Sequence, residues 1–168
     1  KRRKALWYGA QMKIHIFGMG KMGRVHAEYL NIRDIPYVYT DKEGAKRFPG
    51  VTHAIISSPY EEHWNNYMEV IDLYGNIPTL IEKPVFIDQS HIPEIKNVFA
   101  GMSERFNLQV VKLKRALGDI RVQALKYVNH YTDCRDPQLD IGIHGVDLAY
   151  FFNAETYDQE LVKSDKAE

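Results

Sequence analysis

Lys13-Ile14-His15-Ile16-Phe17-Gly18-Met19-Gly20-Lys21-Met22-Gly23 is the stretch that decides the fold. An apolar run that stops at glycine suits a buried parallel strand feeding a tight turn. Met22, Val25, Tyr29 and Ile32 then recur at helical spacing, which predicts a helix over Lys21–Ile32 that begins inside the glycine loop. In such a loop Gly18 permits the turn, Gly20 lets the backbone approach a pyrophosphate, and Gly23 lets the helix pack on the strand. The helix amino terminus, with Met19, Lys21 and Met22 around it, offers N–H groups to the diphosphate. Glycine patterns of this kind also occur in ordinary loops, so the context matters. Tyr37-Val38-Tyr39-Thr40 is a β-branched and aromatic second strand that ends at Asp41, eighteen residues after Gly23. A carboxylate near that offset accepts hydrogen bonds from a ribose diol and repels a 2′-phosphate, favouring NAD; Lys42 beside it leaves NADP as the alternative.

Further strands are predicted at His53–Ser57, Thr79–Glu82 and Val98–Phe106, the last interrupted by Gly101. Between them lie a turn of helix at 44–48, a helix over Glu61–Tyr74 stopped by Gly75, and a short helix over Ser90–Asn97. Strands alternating with helices imply a parallel sheet covered on both faces. Beyond it, Leu108–Leu117 reads as a helix closed by Gly118. Asp119–Thr132 reads as one long strand alternating through Ile120, Val122, Ala124 and then Tyr127. Leu139–Phe152 reads as a buried helix, and a last strand follows. The fold class is therefore α/β, a Rossmann-type doubly wound parallel sheet followed by a truncated α+β second domain. Residues 1–11 form a leader or cloning remnant before Met12, 12–107 the NAD(P)-binding domain, and 108–168 a partial substrate domain.

Two further motifs carry ionisable groups. Glu82-Lys83-Pro84 falls at the carboxyl end of a strand, where open α/β sheets bind ligands, and a lysine there can donate to a substrate hydroxyl or carbonyl. A solvated strand end before proline would read the same. Asp140 and His144 are four apart on a predicted helix with Asp147 three further on, which puts all three on one face, Gly142 leaving it uncrowded. A carboxylate beside an imidazole can orient it as a general base, although a histidine on an apolar helix is as often a satisfied core group. The other histidines, at 15, 26, 53, 63, 91 and 130, form no ligand cluster, so no metal is expected.

The 168 residues, 45% hydrophobic and 26% charged, suit a soluble globular protein. The 22 basic and 22 acidic residues cancel, so no global field draws the chain to nucleic acid or membrane. The Lys-Arg-Arg-Lys cluster at residues 1–4 is read as part of the leader, against a nucleic-acid arm, because no basic face interleaved with aromatic residues follows it. Cys134 is the single cysteine, compatible with a reducing cytoplasm and too isolated from any histidine pattern to read as a nucleophile.

With these residues in place, the chain resembles the glucose-fructose oxidoreductase and inositol dehydrogenase family, the Gfo/Idh/MocA group. The resemblance runs from about Met12 to Asn153 through GMGKMG, Asp41, ISSPYEEH at 56–63, IEKPV at 81–85, SERFN at 103–107 and LDIGIHGVD at 139–147. SERFN and the later GDIRV look most like the nucleotide-sugar 3-dehydrogenase branch. The resemblance implies an NAD(P)-dependent oxidoreductase moving a hydride between nicotinamide and a sugar, polyol or nucleotide-sugar hydroxyl, in a cytoplasmic homo-oligomer. It implies Lys83, Asp140 and His144 as the catalytic set, with His144 the base. Ser57, Ser58, Pro59 and His63 would border the cofactor and Glu82 would meet its nicotinamide ribose; Lys83-Pro84 would be cis, and Arg105 and Asn107 would touch substrate. Two departures stand out. The link from Asp41 to His53 is shorter than the family's, and the large open sheet that covers substrate in the family is mostly missing here. The alternative is therefore a nucleotide-binding or regulatory protein without turnover, or a fragment of an enzyme that self-associates through an open edge.

Overall fold

The computed structural model describes residues 12–41, 44–85, 97–118, 120, 122–131 and 136–163. Residues 1–11, Lys42, nearly all of the helix expected over Ser90–Asn97, His91 and Cys134 lie outside the described residues. The chain divides into two compact units, residues 1–100 and 101–168.

The first unit is a five-stranded parallel sheet of β1 (Ile14–Phe17), β2 (Tyr37–Thr40), β3 (His53–Ile56), β4 (Thr79–Ile81) and β5 (Val98–Ala100), in the spatial order β2-β1-β3-β4-β5. Helices α1 (Lys21–Ile32) and α2 (His63–Tyr74) cover opposite faces. The side-chain alternation of the strands sorts the core accordingly. Ile14, Ile16 and Ile55 meet Ala27 and Leu30 of α1, whereas Phe17, Ala54, Ile56 and Ile81 meet Tyr67 and Val70 of α2. Ile16, Ile56 and Ile81 are fully buried, each contributing about 2 kcal/mol by removal from water. The sequence periodicity that identifies α1 belongs to its outer side: Met22, Val25, Tyr29 and Ile32 are exposed, and the small Gly23 and Ala27 with Leu30 face the sheet.

Chain order reverses between β1 and β3. From β1 the chain moves one way to β2, then crosses back over β1 to β3, leaving a crevice at the carboxyl ends of these neighbours. The ladder runs one residue past each strand at that edge. Gly18 N–H donates to Thr40 O (2.8 Å), Ser57 N–H to Phe17 O (2.8 Å), and Glu82 N–H to Ile56 O (2.9 Å). Four strand exits are thereby stitched side by side.

The link after β2 contains no helix at 44–48 and no strand among its described residues. A polar plug closes it instead. Ala45 N–H donates to Glu69 Oε1 (2.7 Å), and Tyr74 Oη accepts from Phe48 N–H (3.1 Å) while donating to Lys46 O (3.2 Å). Fully buried His15 of β1 joins this network, with Nδ1 2.9 Å from Tyr74 Oη and Nε2 2.9 Å from Thr40 Oγ1. A neutral ring satisfies both contacts, donating from Nδ1 and accepting at Nε2.

In the second unit, α3 (Leu108–Leu117) and α4 (Ile143–Phe152) accompany a two-stranded parallel sheet of β6 (Ala124–Tyr131) and β7 (Thr156–Lys163). Four sequence expectations change here and at its border. β5 ends at Ala100; Gly101 breaks it and Ser103–Phe106 turns into a 3₁₀ helix. β6 begins at Ala124, and Leu125, Tyr127 and Asn129 are its more buried residues, so Ala124 lies on the wet side. A π-helical turn, Gln138–Gly142, precedes α4. Gly142 and Gly145 are small because the helix presses on the sheet: a Cβ would meet Gln159 and Gln138 at Gly142, and Tyr157 and Tyr127 at Gly145.

Burial lowers the His15 pKa to about 4 from its ordinary 6.5. The unfolded chain therefore takes up this proton near pH 6.5 and the folded chain only near 4. Stability contributed by the neutral ring falls as pH drops through that window, by up to about 3 kcal/mol. In parallel denaturant titrations, the stability advantage of the parent chain over H15Q should narrow by that amount between pH 6.5 and 4; an advantage independent of pH would contradict it.

Candidate functional site

The carboxyl edge of the first sheet gathers most residues singled out from sequence. Gly18 adopts φ +89°, a conformation glycine takes without steric cost. A Cβ on it would stand 2.6 Å from the backbone N and Cα of Ser58. At Gly23 a Cβ would run into the Gly18 carbonyl and come within 3.0 Å of Ser57 Oγ. Protein packing thus accounts for two of the three glycines. Gly20 is different: nothing lies within 4 Å of where its Cβ would be.

Gly20 is the N-cap of α1, and no side chain caps the helix. The first N–H groups of a helix have no intrahelical acceptor, and the positive end of the dipole lies there. Met19 N–H donates to Asp41 Oδ1 (3.1 Å), which holds the carboxylate of the β2 exit against the loop. Arg24 Nε–H donates to Met19 O (3.2 Å) from one turn inside the helix, an anchoring role that periodicity could not show. Lys21 and Met22 are exposed at the helix start.

The β3 exit forms the other wall. Ser57 is buried and its hydroxyl donates to Gly18 O (2.9 Å). Ser58 Oγ accepts from Asn66 Nδ2 (2.7 Å), and Pro59 opens the 3₁₀ turn Tyr60–Glu62 that leads into α2. His63 is 1% exposed and its ring nitrogens meet backbone carbonyls: Nδ1 is 2.8 Å from Pro84 O and 3.3 Å from Val85 O, and Nε2 is 3.0 Å from Ser58 O. It therefore joins the exits of β3 and β4 from beneath the surface. Lys83-Pro84 is cis, as the resemblance implies. Glu82 is buried and its Oε1 lies 2.8 Å from Nε2 of His26 on α1. No sequence pattern paired His26 with Glu82, because residues 56 apart meet only through the sheet.

In the second unit the π-helical turn Gln138–Gly142 carries Asp140 and leads directly into α4, which carries His144 and Asp147. The Asp140 side chain lies outside what the structure describes, and His144 is half-buried near the start of α4. Asp147, buried, takes the Arg105 guanidinium: Nε–H donates to Oδ2 (2.8 Å) and Nη2 faces Oδ1. This charge-assisted fork raises the Arg105 pKa above its ordinary value, the hydrogen bond being the main cause. Asn107 caps α3, its Oδ1 accepting from Gln109 N–H (3.0 Å). Among the described residues no group of three or more His, Cys, Asp or Glu is placed to hold a metal, and no helix is long and apolar enough to cross a membrane.

No protein-family model matches the sequence. No curated protein matches it either. Solved structures do match the fold. GenD2 from gentamicin A biosynthesis, in complex with NAD, is similar with a TM-score of 0.73 at 16% identity over 88% of this chain and 55% of that one. The UDP-N-acetylglucosamine 3-dehydrogenase of Acidithiobacillus ferrooxidans gives 0.68 at 18% identity over 84% and 56%. A myo-inositol dehydrogenase from Corynebacterium glutamicum gives 0.66 at 18% over 84% and 55%. The chain spans about half the length of these structures. At such identities the likeness is one of fold: a Rossmann-type α/β sheet followed by a second α+β unit.

The contrast between the glycines is measurable. Gly18→Ala should cost at least about 1–3 kcal/mol in unfolding free energy, through overpacking against Ser58 and the unfavourable φ. Gly20→Ala should stay within about 0.5 kcal/mol of the parent, as an unobstructed surface change does. Equal losses would mean that the loop is not built as described.

Proposed function

We propose that this chain binds a nicotinamide dinucleotide along the carboxyl edge of its five-stranded sheet and serves hydride transfer to or from a hydroxyl carbon of a sugar, polyol or nucleotide sugar. The observation that carries it is the open space at Gly20, directly at the uncapped amino terminus of α1. A helix end lacking a side-chain cap and a glycine without a packing reason fit a diphosphate as the missing partner. Asp41, fixed by Met19 N–H, is suited to accept from the adenosine ribose, which favours NAD over NADP. Ser57, Ser58 and Pro59 would line the crevice, with His63 supporting them from below, and Glu82 would meet the nicotinamide ribose. The nicotinamide, when bound, supplies the hydride acceptor.

The chain's own residues would handle the proton. Lys83 offers an ammonium donor to the substrate oxygen, steadying negative charge as the O–H bond breaks. His144 would accept that proton. Asp140 would orient the imidazole or the lysine. Arg105, held by Asp147, would present its remaining N–H groups to the sugar, next to Asn107. The solved structures with the same fold include sugar dehydrogenases and NAD complexes, which supports the cofactor and substrate class.

Fluorescence titration with NADH and NADPH should show NADH binding tighter, and Gly20→Val should weaken it while the chain stays folded. On a panel of sugars and nucleotide sugars, Lys83→Ala and His144→Ala should each lower kcat by about 10²–10⁴ while NADH binding persists. Binding of NADH with no turnover on any substrate would replace the enzyme with a nucleotide-binding protein. Absence of NADH binding would remove both.

A further inference from the structure

Glu82-Lys83-Pro84 is held from both faces of the sheet by histidines on different helices. From the α1 side, His26 Nε2 reaches Glu82 Oε1 at 2.8 Å, the two side chains being 19% and 12% exposed. From the α2 side, His63 Nδ1 reaches the Pro84 carbonyl at 2.8 Å. Glu82 N–H is already committed to Ile56 O, so both neighbours of Lys83 are tied down in backbone or side chain. The carbonyls of Pro84 and Ser58 can only accept. The His63 ring, with one nitrogen 2.8 Å from Pro84 O and the other 3.0 Å from Ser58 O, spans the two lips of the crevice.

A lysine side chain is a flexible stem, and the reach of its ammonium group depends on the backbone that launches it. Displacement of a reacting group by about 1 Å can cost on the order of 10²-fold in rate. We propose that His26 and His63 are positioning residues for Lys83: His26 sets the Glu82 side chain, His63 sets the Pro84 carbonyl, and together they aim the ammonium group into the crevice. The assignment rests on the oxidoreductase function proposed above, but the placement of Lys83 can be measured without turnover. His26 and His63 touch no reacting atom in this scheme. They act through the tripeptide between them, one from each side of the sheet.

The test is the rate at which acetic anhydride acetylates Lys83 in the full chain, read by peptide mass spectrometry against exposed Lys46 and Lys112 in the same sample. In H26A and H63A the Lys83 rate relative to these references should change about threefold or more, whereas H26Q, which keeps a donor toward Glu82, should stay nearer the parent. If H63A does not fold, H63Q replaces it. A general loss of stability would move all three lysines together and would count against the proposal. So would an unchanged Lys83 rate in folded H26A and H63Q. Where a substrate is turned over, H26A should lower kcat about tenfold, with any rise in KM for NAD, passed on through Glu82, smaller than the fall in kcat. A rise in KM alone would assign His26 to cofactor binding instead and overturn the positioning role. Failure of the panel to give turnover would leave the acetylation result to decide, separating this assignment from the enzyme function itself.

Discussion

The contact on which the molecule depends is the approach of the Gly18 backbone to the backbone of Ser58. Only a residue without a side chain lets the β1 exit lie that close to the β3 exit. That closeness permits the ladder to run on through Ser57 and Glu82, and it brings Ser57 Oγ onto the Gly18 carbonyl. It also directs the chain from β1 into α1 with the helix end at the crevice. A methyl group at this point would push apart the two strands between which the topology reverses, and the residues above them would lose their common floor.

The first unit was largely legible in sequence because its signals are local. An apolar run ending in glycine, a strand ending in an acid and a strand ending in Glu-Lys-Pro each describe a few consecutive residues whose backbone obeys its own preferences. What escaped were relations between distant residues. His26 and Glu82 carry no mutual pattern, nor do His15 and Tyr74, or Arg105 and Asp147; each pair meets only after strands have been laid side by side. The apolar stripe of α1 identified a helix but not its inner side, since small Gly23 and Ala27 permit close packing that larger residues would prevent. Periodicity assumes that the greasier side is inside; here proximity of backbone to sheet took precedence.

The second unit was harder to read for a related reason. A π-helical turn at 138–142 precedes the regular α4, a break that the spacing of apolar residues over 139–152 does not signal. Gly142 and Gly145 look like gaps that spare a reacting face, yet both lie where α4 meets side chains of the sheet or its neighbouring turn, Gln159 and Gln138 for the first, Tyr157 and Tyr127 for the second. β6 and β7 are parallel and joined through α4, an arrangement that needs a crossover and so could not be inferred from two strands alone. The exposed Lys126–Glu160 pair between them adds little to holding them together.

The link from β2 to β3 bears on how parallel sheets are classified. With the His15–Tyr74 plug in place of an additional strand, the sheet has the order of flavodoxin-type folds, in which a flavin mononucleotide sits at the same β1/β3 reversal. Strand order alone thus does not separate that mononucleotide class from the dinucleotide class proposed for this molecule. A polar seam between a strand, a helix and a loop is enough to shorten an edge while leaving the reversal point intact, so the identity of a nucleotide site resides in the turn after the first strand, and the count of strands beyond it is free to vary.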